Sequence, residues 1–382
     1  MLTMVGFLQA SDCDTSCIIL GSVSAGMETK SIGMKQPTAG ILATIIVMAI
    51  ALGFISLFDF PTFAGWVAYY LLCLIPIQIV IAVTWGSNPT FAAKHKQPLK
   101  GLSLIGVTLA IGSIMAGVYF FSVGQGVSPP TPMLAMCTIV SVIITFWAAI
   151  MWGGWPFTAW VKRPESAGLI MLFVCYALNY ALFRVFFNYG FMQGAPVYVP
   201  AQDPHGLFNA WYALSFYLTL LGAMFLIVNF DLWPFTNFSG VMRQPVLGLV
   251  WTLAVFVLAT AAYYIGVISM GMDPVSFMVH VPVPFIFGTI VVQNMLQGSL
   301  FANWKQPTKG VLNVIAVVVI GSGLAALYRT LSSTVTGSLK AGPPGYDQEI
   351  WLASALLSVT FPFLIFHAEF FKLWPLRRNL TD

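Results

Sequence analysis

Residues 305–330 read KQPTKGVLNVIAVVVIGSGLAALYRT, a basic hexapeptide followed at once by an apolar run. About 20 predominantly apolar residues are enough to cross the hydrocarbon core of a bilayer as an α-helix. Pro307 suits the first turn of such a helix, where a missing N–H leaves no hydrogen bond unmade. The stretch therefore predicts a membrane-spanning helix that begins just after a cluster of positive charge.

The hexapeptide recurs along the chain. Close copies begin at Lys35 (KQPTAG) and Lys96 (KQPLKG), and weaker ones at Arg243 (RQPVLG) and Lys162 (KRP, with its glycine one place late at Gly168). Regular recurrence indicates repeated supersecondary units. The predicted unit is a helical hairpin, with an odd-numbered helix leading out and an even-numbered helix leading back. All copies fall on one side, which favours parallel hairpins over an inverted repeat.

Composition places the whole chain in the membrane class. Of its 382 residues, 59% are apolar and 7% are charged, with a net charge of +4. Soluble globular proteins carry about 25% charged residues. The composition excludes a soluble enzyme, a disordered tail and a nucleic-acid-binding domain. The fold class predicted here is all-α, a polytopic membrane protein of about ten transmembrane helices arranged as five repeated hairpins.

Ten segments are long and apolar enough to span a bilayer, separated by clusters of proline and glycine that end helices. We predict one transmembrane domain over 35–382, after an N-terminal cytoplasmic segment over 1–34 without a cleaved signal. The predicted spans are 38–58, 64–86, 101–123, 133–154, 167–190, 209–230, 247–270, 284–301, 311–330 and 351–373. The predicted hairpins cover approximately 35–95, 96–161, 162–242, 243–304 and 305–378.

The basic residues predict the orientation, because short cytoplasmic loops are enriched in Lys and Arg. Thirteen of the 16 Lys and Arg residues fall on one side of the predicted spans, the others being Arg184, Arg329 and Lys340. Both termini are therefore expected in the cytoplasm, with the protein in the cell (inner) membrane. Trp-Pro pairs at 155–156, 233–234 and 374–375 precede three basic clusters. Since Trp and Lys both favour the interface, the motif is explained at its simplest as an interfacial anchor.

Polar residues at membrane depth are the candidates for function, because burying them in lipid is costly. Towards the outer side, Arg184, Asn179 and Asn188 lie on or near the fifth span, and a polar stripe there could face the bundle or an outer vestibule. His280 is predicted in an outer apolar loop before the eighth span. Arg184 and Arg329 can alternatively be interfacial charges that reach water.

Towards the inner side, Asp231 follows the sixth span, Gln293 and Asn294 lie on the eighth, and His367 and Glu369 lie on the tenth. His and a desolvated carboxyl group can both exchange protons near neutral pH. Glu369 could instead be neutralised by Lys372 three residues later. The amides could line an inward-opening cavity, or they could only join helices.

The sequence contains no phosphate-binding loop, dinucleotide fingerprint, zinc motif or nucleophile elbow. We therefore predict no cofactor, no metal site and, on balance, no enzymatic activity. Cys13 and Cys17 could form a local disulfide or half of a metal site, but no second pair completes one.

Two functional hypotheses remain. The first is a transporter or channel for a small solute, not driven by ATP on its own, with Arg184 favouring an anionic solute. The second is a scaffold or anchor subunit of a larger membrane complex, to which the 56 aromatic residues could contribute lipid or subunit contacts. The expected partners are the lipid bilayer and a small solute, with partner subunits or further copies of the chain possible and nucleic acid excluded.

Overall fold

The computed structural model describes residues 31–379, and within that range ten helices are long and apolar enough to cross a membrane. The multi-pass α-helical prediction is confirmed. The helices are α1 (Thr38–Ile55), α2 (Phe60–Thr84), α3 (Leu99–Ser122), α4 (Pro132–Met151), α5 (Pro164–Phe186), α6 (Ala210–Asn229), α7 (Val246–Ser269), α8 (Pro274–Met295), α9 (Thr308–Val335) and α10 (Asp347–Phe370).

The start of α8 differs from the sequence prediction by ten residues. The Asp273 carboxylate accepts hydrogen bonds from the N–H groups of Val275 and Ser276, each at 3.0 Å, and so caps a helix that begins at Pro274. The helix breaks at Val281 and resumes at Pro282. The predicted outer loop at His280 is therefore wrong. Prolines at 282 and 284 open the resumed segment, where they leave no intrahelical hydrogen bond unmade.

The even-numbered helices form an inner ring. Each packs against the next one in sequence, and α10 contacts α2, which closes the ring. Burial agrees with this arrangement, since 83% of the residues in the apolar stretch of α2 are buried, compared with 28% of those in the apolar stretch of α3. The odd-numbered helices lie outside. Their most extensive contacts place α3 on α2, α5 on α4, α7 on α6, α9 on α8, and α1 on α10.

Aromatic side chains pack where three inner helices meet. The ring of Phe146 on α4 meets Phe225 on α6 edge-to-face, with ring centroids 5.3 Å apart, and Phe361 on α10 at 6.1 Å. Edge-to-face aromatic pairs of this kind add to the stabilisation from burial alone. The interior of the ring is therefore packed with side chains at this level.

Glutamine side chains join the odd helices to the ends of inner helices that are distant in sequence. Gln36 donates to the carbonyl of Met295 at 3.0 Å, Gln97 to that of Phe370 at 2.7 Å, and Gln244 to that of Met151 at 2.9 Å. Each acceptor is the last residue of its helix. The same three glutamines accept a hydrogen bond from the N–H of the glycine four residues later, as Gln306 also does. One amide thus satisfies one unpaired group on each of two helices.

The glycine of the motif allows this close approach. A Cβ atom on Gly40 would overlap the carbonyl oxygen of Met295, and one on Gly101 would lie 2.6 Å from the ring of Phe371. On Gly248 it would lie 2.7 Å from the ring of Trp152. Because only glycine has no Cβ, the motif brings the first turn of an odd helix onto the end of an inner helix. The motif is therefore more than an interfacial anchor.

The inner helices all end in two consecutive residues with positive φ. The second residue of the pair donates its N–H back to a carbonyl in the last turns, as Ser87 does to Ile81 and Leu373 does to His367. A left-handed ending of this type pairs carbonyls that the helix itself leaves free. The pairs are Gly86–Ser87, Gly153–Gly154, Asp231–Leu232, Gln297–Gly298 and Lys372–Leu373.

The ends of the described chain meet on the same face as these motifs. Strand β1 (Ser31–Gly33) pairs antiparallel with the last of the short strands, Arg377–Asn379. We call this side the basic face, because the basic loops that precede the odd helices lie here. Cys13 and Cys17 lie outside the described residues.

Replacing Gly40 by Ala tests the glycine contact. We expect Gly40→Ala to lower the free energy of unfolding by about 1–3 kcal/mol, the usual cost of overpacking, because the new methyl group displaces Met295 from Gln36. The matched control is Gly53→Ala on the same helix, where a Cβ would meet nothing within 4 Å. Thermal unfolding in detergent measures both variants, and equal melting temperatures would contradict the packing described here.

Candidate functional site

A buried carboxylate lies at the basic end of the inner ring. Glu369 on α10 is only 6% exposed. Its Oε1 accepts a hydrogen bond from Asn294 Nδ2 on α8 at 2.8 Å, and its Oε2 pairs with Lys372 Nζ at 3.1 Å. The structure thus brings together Glu369 and Asn294, two of the residues singled out from the sequence. Two donors, one of them charged, compensate for taking the carboxylate out of water.

The positions of Asn294 and Glu369 correspond to each other in the ring. Each immediately precedes the residue whose carbonyl accepts a motif glutamine, Met295 or Phe370. On α4 the corresponding residue is Ile150, which is as buried as Glu369. On α2 and α6, the residue before the last of the helix is Val83 or Val228, also buried. A position that is apolar on three inner helices is therefore polar on two neighbouring ones.

A second polar network centres on Asn229, the last residue of α6. Its Nδ2 donates to Thr289 Oγ1 at 3.0 Å, and its Oδ1 accepts from Gln293 Nε2 at 2.9 Å. Its carbonyl accepts from Asn313 Nδ2 on α9 at 3.2 Å, in place of a motif glutamine. Gln293 and Asn294 therefore connect α8 to α6 on one side and to α10 on the other.

Three buried polar atoms near these networks have no hydrogen-bond partner among residues 31–379. They are Asn294 Oδ1, Asn313 Oδ1 and His367 Nε2. Buried polar atoms are normally paired, and exceptions mark places where water or a ligand can bind. His367 lies two residues before Glu369, so the basic end of α10 combines a carboxylate, an ammonium group and an imidazole.

Asp231 lies outside this buried group. It follows α6, is exposed, and pairs with Lys309 Nζ at 2.7 Å and with Gln306 Nε2 at 2.9 Å. This contact ties the end of α6 to the motif that precedes α9. Its geometry is that of a surface ion pair between the residues after α6 and the first turn of α9.

The outer candidates do not form one cluster. Asn179 is buried and donates to Tyr119 Oη at 2.7 Å and to the carbonyl of Cys137 at 3.1 Å, which joins α5 to α3 and α4. Arg184 is exposed and does not face the bundle interior. Asn188 lies past the end of α5 and donates to the carbonyl of Gly206 at 3.1 Å.

His280 is exposed near the start of α8, with Nδ1 at 2.8 Å from the carbonyl of Ser276. Within the described chain, no hydrogen bond joins His280 to the outer candidates on α5.

Two acidic contacts lie on the face opposite the basic one, and neither aspartate is among the sequence-predicted site residues. Asp203 accepts from the N–H of Tyr189 at 3.1 Å and from Tyr198 Oη at 3.0 Å. Asp273 accepts from Tyr346 Oη at 2.9 Å. Burial and this hydrogen bond raise the pKa of Tyr346 to about 12, so the phenol remains a donor at neutral pH. The dipeptides Asp203-Pro204 and Asp273-Pro274 were the available sequence signal.

No group of three or more His, Cys, Asp or Glu residues within the described chain is placed to hold a metal ion. Cys73, Cys137 and Cys175 are free and buried. The chemistry available at the basic end of α10 is therefore proton exchange, hydrogen bonding and charge pairing.

No protein-family model, curated protein or solved structure matches this chain. Its function must therefore be inferred from the arrangement of its own residues.

The burial of Glu369 predicts different costs for two lysine substitutions. We expect Lys372→Met to be strongly destabilising, towards the 3–5 kcal/mol seen when one partner of a buried pair is removed. Lys309→Met, whose partner Asp231 is half exposed, should cost no more than about 1 kcal/mol. Thermal unfolding of the two variants makes the comparison.

A double variant separates charge from packing. Adding Glu369→Gln to Lys372→Met should recover part of the lost stability, because it removes the unpaired charge. Equal effects of the two lysine substitutions, or no recovery in the double variant, would refute a buried ion pair.

Proposed function

We propose that the protein is a secondary transporter or channel for a small solute, not driven by ATP on its own, and that Glu369 is its central ionisable group. The supporting observation is the polar pair of Glu369 and Asn294, at a position occupied by buried Val or Ile on the other inner helices. Ionisable residues within membrane-spanning helices are costly and commonly mark ion or substrate pathways.

The contacts of Glu369 suggest how a proton and an anion could be coupled. Protonation of Glu369 removes the charge that holds Lys372 and weakens the bond from Asn294. Lys372 would then be a free cation for a small anionic solute, and α8 and α10 would be less firmly joined. Both helices contain π-helical turns here, over Val291–Met295 and Phe366–Phe370. The inner helices α2 and α4 end in the same kind of turn, over Val80–Thr84 and Trp147–Met151, so the polar side chains rather than the turns distinguish α8 and α10.

The aromatic packing inside the ring limits where a solute could cross. Phe146, Phe225 and Phe361 occupy the space where α4, α6 and α10 meet. A pathway would therefore open between α8 and α10 rather than through this aromatic contact. Of the other predicted site residues, Gln293 is assigned to the inner end because it bonds to Asn229, and His367 because it lies two residues before Glu369. Arg184, Asn179, Asn188 and His280 remain candidates for an outer end.

We further propose that the basic face is cytoplasmic, with both termini inside and the protein in the cell (inner) membrane. Enrichment of Lys and Arg in short loops supports this orientation. We also propose that 35–382 is one domain of five repeated hairpins. The recurring glutamine contacts of Gln36, Gln97 and Gln244 support the repeat.

A scaffold or anchor subunit, assembled with partner subunits or further copies of the chain, is the second candidate. The aromatic packing of Phe146 favours it, because a ring packed in its interior is suited to a structural role. Purification in mild detergent distinguishes the candidates. A stoichiometric partner would favour the scaffold, whereas an isolated chain or a symmetric homo-oligomer would favour the transporter.

Neutralising Glu369 tests the transport proposal. In proteoliposomes containing a trapped pH-sensitive dye, we expect at least one of chloride, sulfate, phosphate or a small dicarboxylate to drive proton movement. Glu369→Gln should abolish that movement, because it removes the proton-carrying group. The control is Asp347→Asn, which neutralises a carboxylate at the opposite end of the same helix. Unchanged proton movement in Glu369→Gln would remove this residue from the mechanism.

A further inference from the structure

An apolar groove runs between the outer helices α5 and α7. Its volume is about 720 Å³, within the range of roughly 300–1,000 Å³ typical of small-molecule sites. Leu182 and Phe186 line the α5 wall and Phe256 the α7 wall, while Trp147 on α4 and Leu220 on α6 form its floor. Phe256 and Leu178 are exposed at its edge, so the groove opens on the lipid-facing surface of the bundle.

The groove is elongated along the membrane normal. On α6 its lining extends from Tyr212 to Met224, about 18 Å at ~1.5 Å per residue. On α4 it reaches Met151, the last residue of that helix, at the basic face. This length covers more than half of a hydrocarbon core of about 30 Å. Its shape therefore suits an extended hydrocarbon chain.

The polar group of Thr252 in the lining is already paired. Thr252 Oγ1 accepts from Trp147 Nε1 at 3.1 Å and Trp152 Nε1 at 3.2 Å, and donates to the carbonyl of Gly248 at 2.6 Å. Burying an unpaired polar group in such a site is costly. The groove therefore favours hydrocarbon over a polar solute.

Positive charge lies on the basic face where the two groove helices begin. Lys162 and Arg163 immediately precede α5, Arg243 precedes α7, and all three are exposed. Gln244, the neighbour of Arg243, donates to the carbonyl of Met151 at 2.9 Å. This bond places the Arg243 backbone beside the groove end. Clustered Lys and Arg next to a membrane surface attract anionic headgroups.

We infer that this groove is a binding site for one anionic phospholipid. An acyl chain lies between α5 and α7, and the headgroup lies against Lys162 and Arg243 at the basic face. The apolar lining, the open lipid-facing side, the length of the groove and the flanking cations together favour this occupant. The site is separate from Glu369 and does not depend on the transport proposal.

Native mass spectrometry of the delipidated full chain tests the site with phosphatidylglycerol and phosphatidylcholine of identical acyl chains. We expect one phosphatidylglycerol to bind in preference to phosphatidylcholine. Leu182→Trp should weaken binding at least tenfold by filling the groove. The matched control is Leu253→Trp, the same substitution at a 68% exposed α7 residue that does not line the groove. Equal binding by the two variants would overturn the assignment of the groove.

A charge variant tests the headgroup independently of groove packing. Lys162→Gln with Arg243→Gln should abolish the preference for phosphatidylglycerol and leave the melting temperature unchanged, since both side chains are exposed. Lys305→Gln, in the motif before α9, is the matched control and should keep the preference. Retention of the preference in the double variant, or its equal loss in the control, would overturn the headgroup site.

Discussion

Every backbone N–H and carbonyl group at membrane depth needs a partner, because lipid offers none. Helix ends are where this requirement is hardest to meet, since the first N–H groups and last carbonyls have no partner within the helix. In this protein a single glutamine amide serves two such ends at once. Gln36, Gln97 and Gln244 each accept from their own helix and donate to the last carbonyl of an inner helix.

This shared hydrogen bond joins helices that are distant in sequence. In each of the three cases the acceptor lies on a helix at least three helices away from that of the glutamine. Gln36 and Met295, for example, are 259 residues apart. The glycine that follows each glutamine lets the two backbones approach closely. At the 305–310 copy the motif is intact, but the contact differs. Asn313 replaces the glutamine at the end of α6, and Gln306 turns to Asp231 instead.

The candidate site is a departure from this regular pattern. On α2, α4 and α6 the residue before the last one is apolar. The same position carries Asn294 on α8 and Glu369 on α10, and these two helices are adjacent in the ring. A structural repeat would be satisfied by Val or Ile there, as on α2, α4 and α6. A buried carboxylate with one amide and one ammonium partner contributes little net stability, since desolvation opposes the charge attraction. This is why we propose a functional role for the pair.

The sequence by itself determined that the chain is a multi-pass membrane protein, because apolar length and proline-rich breaks are local properties. It placed most helix boundaries within a few residues for the same reason, and failed at α8, where prolines open a helix segment instead of ending one. It also singled out Glu369 and Asn294, because polar side chains at membrane depth are costly. Only the tertiary structure decided that these two side chains meet, that Arg184 faces away from the bundle, and that the glutamine motif joins helices distant in sequence. Those facts depend on contacts between residues far apart in the chain, which no local pattern specifies.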